Sequence, residues 1–87
     1  MTTSYVFDTY AKTAEGRKIH FNVVLDEQDQ QKAIAYAQHW LTSIDLADAV
    51  VTPENCYFYH SVEAPADMRA EIDKNCYAIY KMEGCPR

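Results

Sequence analysis

The side chains best suited to chemistry in this sequence are three cysteines, Cys56, Cys76 and Cys85, together with His60 and His20. Cys56 and His60 form a C-x-x-x-H string, two soft metal ligands four residues apart. On a strand both would point to the same face, roughly 13 Å from each other. Zinc bonds of about 2.0–2.3 Å cannot span that gap, so a shared ion requires the strand to turn near His60-Ser61. Cys85, in the tail Glu83-Gly84-Cys85-Pro86, is the third ligand candidate and the better thiol nucleophile if a histidine serves it as base. Against both roles stands the ordinary behaviour of cysteine, which packs as a small apolar residue. Packing is the preferred reading.

Asp8, inside F-D-T, can meet His20 across neighbouring strands. Such a pair is either a structural hydrogen bond or an acid–base couple, and the structural role is the commoner one. Glu54, Glu63, Asp67, Glu71 and Asp73 read as a solvated face with some helix-start charge. Other signatures are missing. Gly16 and Gly84 are the only glycines, so no phosphate-cradling loop or dinucleotide fingerprint can be built. There is no C-x-x-C, no H-E-x-x-H and no nucleophile elbow.

The elements that must position these residues follow from periodicity. Tyr5 to Ala11 is rich in aromatic and β-branched residues and reads as a strand. Gly16 suits the positive φ of a short hairpin loop. Lys18 to Leu25 alternates: Ile19, Phe21, Val23 and Leu25 face one way, and Lys18, His20, Asn22 and Val24 the other. Asp26 offers a helix cap, and Ala33, Ala37, Trp40, Leu41 and Ile44 then recur at helical spacing, so a helix runs from Glu27 to Ser43. Asp45 to Pro53 is a connection, and Thr52-Pro53-Glu54 suits a single helical turn. Cys56 to His60 is a third strand. Ala64-Pro65 opens a second helix with Pro65, Met68 and Ile72 inward, ending near Asn75. Cys76 to Met82 is a fourth strand.

The expected fold is α+β: a two-layer sandwich in the order β-β-α-β-α-β, with a mixed four-stranded sheet and both helices on one face. Both late crossovers pass through helices, which implies some parallel pairing. The opposite face would be open, or covered by another copy of the chain. It would carry His20 and Asn22, joined by tyrosines such as Tyr57 and Tyr59. Exposed aromatic faces of this kind tend to be interfaces.

The totals bound the rest. Eighty-seven residues make one domain, residues 1–87, with one modest core. With 48% hydrophobic and 24% charged residues the chain is expected to fold. A net charge of -5 with scattered basic residues argues against nucleic acid and anionic membrane surfaces. Met1-Thr2-Thr3-Ser4 lacks the basic start and apolar run of a signal peptide, and no apolar stretch approaches the ~20 residues of a membrane helix. An odd cysteine count without an export signal points to reduced thiols in the cytoplasm.

Several strings occur in a telling order: V-F-D-T-Y, a hairpin closing on Gly16, H-F-N-V, K-A-I-A-Y-A-Q-H-W-L, C-Y-F-Y-H-S-V-E-A-P and I-Y-K-M-E-G-C-P. Together they resemble the small bacterial family known as domain of unknown function number twenty twenty-four, over nearly the whole chain. The resemblance implies a compact strand-strand-helix-strand-helix-strand domain of bacterial origin and brings no activity, substrate or cofactor. Relatives often read C-x-x-C-H where this chain has Cys56-Tyr57-Phe58-Tyr59-His60, so Tyr59 replaces a cysteine. That weakens a metal or redox site here, although Cys56, His60 and Cys85 still match the pattern.

Two functional readings result. The first is a non-enzymatic binding or protein-interaction module without cofactor, using the open sheet face (His20, Asn22, Tyr57 and Tyr59) and the segment His60 to Pro65, with a protein partner or a second copy. The alternative is a thiol- or zinc-dependent protein built on Cys56, His60 and Cys85. The module reading expects elemental analysis of reduced, untagged protein to find no stoichiometric metal, and Cys85→Ser to leave the fold intact. Near-stoichiometric zinc or iron, lost in Cys85→Ser, would install the alternative.

Overall fold

In the computed structural model, which describes residues 3–82, the elements run β1 (Ser4–Lys12), β2 (Lys18–Leu25), α1 (Gln30–Ser43), a 3-10 turn at Pro53–Asn55, β3 (Cys56–Val62), α2 (Ala66–Asn75) and β4 (Tyr77–Lys81). The α+β class and the β-β-α-β-α-β order are as the periodicity predicts. The sheet order is β3-β1-β2-β4.

Every neighbouring pair is antiparallel, not mixed. β2 and β3 do run in the same direction, as a helical crossover requires, but β1 lies between them. β4 likewise runs with β1 and is separated from it by β2. The crossovers set strand direction without making parallel neighbours, because the hairpin already holds the centre of the sheet.

The helices also lie on opposite faces, not on one. α1 covers the face of Phe7, Ile19, Phe21, Val23 and Leu25 with Ala33, Ala37, Trp40 and Leu41, all buried. Trp40 packs on Phe21 with ring centroids 4.7 Å apart. The connection after α1 adds Ala49 and Val51 to that core and pairs Val50 with Lys12. With this face filled, the link from edge strand β3 to edge strand β4 crosses the other one. There Ile72 of α2 packs on Val6, Val24 and Ala78, with Met68, Val62 and Ala64 beside them. Val24, the one apolar residue on the polar side of β2, thereby finds its cover.

Local signals explain the boundaries. Gly16 sits at φ 85 in the hairpin loop, where Gly16 N–H bonds the Thr13 carbonyl at 2.9 Å. The α1 cap is Asp29, whose carboxylate accepts from Lys32 N–H, and not Asp26. Asp26 instead accepts a two-pronged bond from the Arg69 guanidinium (2.9 and 2.5 Å) and a hydroxyl from Ser4 (3.0 Å). This pairing holds the Asp26 carboxyl below the usual carboxylate range and moors α2 to the end of β2. α1 ends with Asp45 left-handed (φ 64) and Leu46 N–H returning to the Leu41 carbonyl at 2.8 Å. α2 ends at Asn75, as expected, but the left-handed residue is its cap Cys76 (φ 75) rather than Asn75.

A side chain at Cys76 strains this cap, whereas glycine adopts it freely. Cys76→Gly should therefore raise unfolding stability by about 0.5–1 kcal/mol. Ile72→Ala, which undocks α2, should lower it by about 2–4 kcal/mol. Urea unfolding followed by circular dichroism measures both, and a stabilising Ile72→Ala would contradict the packing described.

Candidate functional site

The functional side chains lie in rows across the sheet, because antiparallel partners share a face. On the α2 side the first row is His60, Val6, Val24 and Ala78. The second is Tyr57, Asp8, Asn22 and Tyr80, and Tyr10 with His20 follows. α2 packs on the first row at its centre and borders the second through Met68, beside Asn22 and Tyr80. The face is thus partly covered by α2, where one either open or covered by another copy of the chain was expected.

At the boundary of covered and uncovered halves lies a cleft of about 280 Å³. Its floor is Val6, Val24 and Asn22, its walls Val62, Pro65 and Met68, and its rim the exposed His60 and Tyr80. The lining is mainly apolar. Asn22 brings the one buried side-chain polar atom without a hydrogen-bond partner among the described residues, its Oδ1.

Beside the cleft, Asp8 gathers two neighbours. One carboxylate oxygen meets His20 Nε2 and the other accepts the Tyr57 hydroxyl at 2.8 Å. Tyr10 stacks on the imidazole, centroids 4.2 Å apart and planes 6° from parallel, and Lys18 Nζ lies 5.8 Å above the Tyr10 ring. Both Asp8 oxygens are therefore engaged in ties from β1 to β2 and β3. The cross-strand Asp8–His20 contact is present, and it belongs to a brace spanning three strands.

Cys56 and His60 are placed very differently from the sequence expectation. β3 carries a bulge: Phe58 pairs with Phe7 and His60 with Val6, leaving Tyr59 as the extra residue. The extra residue reverses the side-chain parity of β3. Cys56, paired with Thr9, is fully buried on the α1 side, while His60 is exposed on the α2 side. Burial pushes the Cys56 thiol up, away from the reactive thiolate, and the Thr9 hydroxyl lies 3.5 Å from its sulfur. His60 Nδ1 lies 3.1 Å from the Ser61 carbonyl oxygen. Cys85 lies outside the described residues. Among the described residues no group of three or more His, Cys, Asp or Glu is arranged to hold a metal ion. Cys76 is exposed at the end of α2.

Of the predicted interaction face, His20, Asn22 and Tyr57 do share the α2 side of the sheet, and Tyr59 stands at the bulge. His60, Val62 and Pro65 of the cleft fall in the expected segment His60 to Pro65, whereas Tyr80 and Met68 were not expected in a site. The alternation of Tyr77 to Lys81 carries the signal for Tyr80, whereas nothing in C-Y-F-Y-H announces a bulge.

The Asp8 contact also makes a titration prediction. The hydrogen bond to Asp8, together with the nearby negative charge, pushes the Tyr57 phenol up. Asp8→Asn should bring Tyr57 ionisation to lower pH, read from the Tyr57 ring carbon resonances; an unmoved titration would refute the contact. Comparisons with known proteins agree with this fold. The NMR structure of protein NE1680 from Nitrosomonas europaea, a Northeast Structural Genomics Consortium target, is similar at 46% identity and a TM-score of 0.86. The match covers 98% of this chain and 100% of that one. No curated protein matches, and no described helix is long and apolar enough to cross a membrane. The family model described as domain of unknown function (DUF2024) matches residues 1–82, and the chain belongs to that family.

Proposed function

We propose that the chain is a non-enzymatic binding module that takes an apolar or aromatic side chain of a protein partner into the cleft between the sheet and α2. The observation that carries this reading is the make-up of the cleft: apolar floor and walls, with three polar residues, Asn22, His60 and Tyr80, around them. Binding sites commonly have this composition, mostly apolar with a few polar groups that fix orientation. About 280 Å³ suits one large side chain better than an extended cofactor. The unpartnered Asn22 Oδ1 favours an occupant that brings an N–H or O–H donor, as tryptophan and tyrosine do.

Net charge supports a protein partner over a nucleic acid, since -5 with scattered lysines and arginines offers no phosphate-binding stripe. The same reading takes the protein as cytoplasmic, supported by the free thiols of Cys56 and Cys76. Acid–base catalysis on Asp8 and His20 has less support, because both carboxylate oxygens are already bound to neighbouring strands.

The test is titration of isotope-labelled protein with N-acetyl-tryptophanamide. Saturable amide shifts should concentrate at Asn22, His60, Val62, Met68 and Tyr80, with a millimolar Kd. Tyr80→Ala, a change at an exposed rim residue, should weaken binding by about tenfold. Shifts that do not saturate, or that fall elsewhere, would remove the cleft from consideration.

A further inference from the structure

A second cavity lies along edge strand β4, between the C-terminal parts of α1 and α2. Its volume is about 340 Å³, near the small end of the roughly 300–1,000 Å³ usual for small-molecule sites. Strand parity builds its floor. Tyr77, Ile79 and Lys81 pair with Leu25, Val23 and Phe21 and therefore face α1, which adds Trp40 and Ser43. α2 lies on the other face of the sheet. Its Glu71 and Asn75, four residues apart on one flank of the helix, nevertheless reach the same cavity past the β4 edge.

Tyr77 is fixed twice. Its hydroxyl lies 2.8 Å from His39 Nδ1, and its ring stacks on Tyr36 with centroids 4.9 Å apart. Burial, with the negative charge of Glu71, pushes the Tyr77 phenol up, so it stays neutral. The cavity has one carboxylate, Glu71, and one ammonium, Lys81. Neither side chain forms a hydrogen bond or an ion pair among the described residues, with the other or elsewhere.

We propose that this cavity binds a small zwitterion of the free amino-acid class, its ammonium group on Glu71 and its carboxylate on Lys81. Charge complementarity selects that class. A simple amine would meet Lys81 as a like charge, and a simple carboxylic acid would meet Glu71 as one. A ligand carrying both groups satisfies both walls. Asn75 and the Ser43 hydroxyl offer further hydrogen bonds beside them, and Trp40 with Ile79 receives an aliphatic side chain. The cavity is separate from the cleft between the sheet and α2, with which it shares no lining residue.

Titration of the isotope-labelled full chain at pH 7 and low salt with L-leucine tests this. Saturable amide shifts should concentrate at Ser43, Glu71, Asn75, Tyr77 and Lys81, with a Kd in the millimolar range. L-Leucinamide, which lacks the carboxylate, and N-acetyl-L-leucine, which lacks the ammonium, should each bind about three- to fivefold more weakly, as expected for half-exposed ion pairs. Glu71→Gln should abolish the preference for L-leucine over N-acetyl-L-leucine, and Lys81→Met the preference over L-leucinamide. Both side chains are exposed, so the circular dichroism spectrum should not change. No saturable shift up to ~50 mM L-leucine, equal binding of all three compounds, or preferences indifferent to both substitutions would overturn the proposal.

Discussion

The structure depends on the β1–β2 hairpin, whose two strands occupy the centre of the sheet and present apolar side chains to both faces. Phe7, Phe21, Val23 and Leu25 point to one side, Val6 and Val24 to the other, and all are buried. Leaving either set in water would forfeit about 1.5–3 kcal/mol for each large side chain. One helix cannot serve both faces. The chain therefore spends its long, strongly amphipathic helix on the larger set and its short helix on the smaller. Neighbouring strands can then only be added outside the hairpin, which is why β3 and β4 are both edges and why all pairing is antiparallel.

The shortness of α2 has a further effect. Ten residues at 1.5 Å each span about 15 Å; Ile72 packs on the row of Val6, Val24 and Ala78, and Met68 borders Asn22 and Tyr80 of the next row. The cleft is the seam between these regions, and its position is fixed by the Arg69–Asp26 pair that moors α2 at one end of the sheet. On the uncovered side the polar row is not idle surface. Asp8, held by His20 and Tyr57, stitches β1 to both neighbours and keeps the strands that line the cleft in register. A binding surface built this way rests on strands rather than loops, and so is preorganised.

The bulge at Tyr59 decides which side chains of β3 reach each face of the sheet. It turns Cys56 into the α1-side core and His60 out to the cleft rim, separating two residues whose spacing in the sequence invites a metal site. One inserted residue therefore removes a chemistry suggested by the ligand types.

Elements, their order and their apolar faces were legible in the sequence because they rest on local periodicity: the alternation of Lys18 to Leu25, the helical recurrence of Ala33, Ala37, Trp40 and Leu41, and the glycine at the hairpin turn. The presence of His20 and Asn22 on one sheet face followed from the same alternation, whereas Tyr57 joins them through its pairing with Asp8. Placement of the second helix did not, since it depends on which face the first helix has already filled and on a single residue, Val24, needing cover. Nor did the fate of Cys56 and His60, because a bulge is set by pairing with β1 and leaves no mark on the strand that carries it. The sequence by itself determined which residues are apolar and at what period they recur. Tertiary structure decided which faces met and where a cleft and a bare edge were left, because those outcomes belong to contacts between elements distant in the chain.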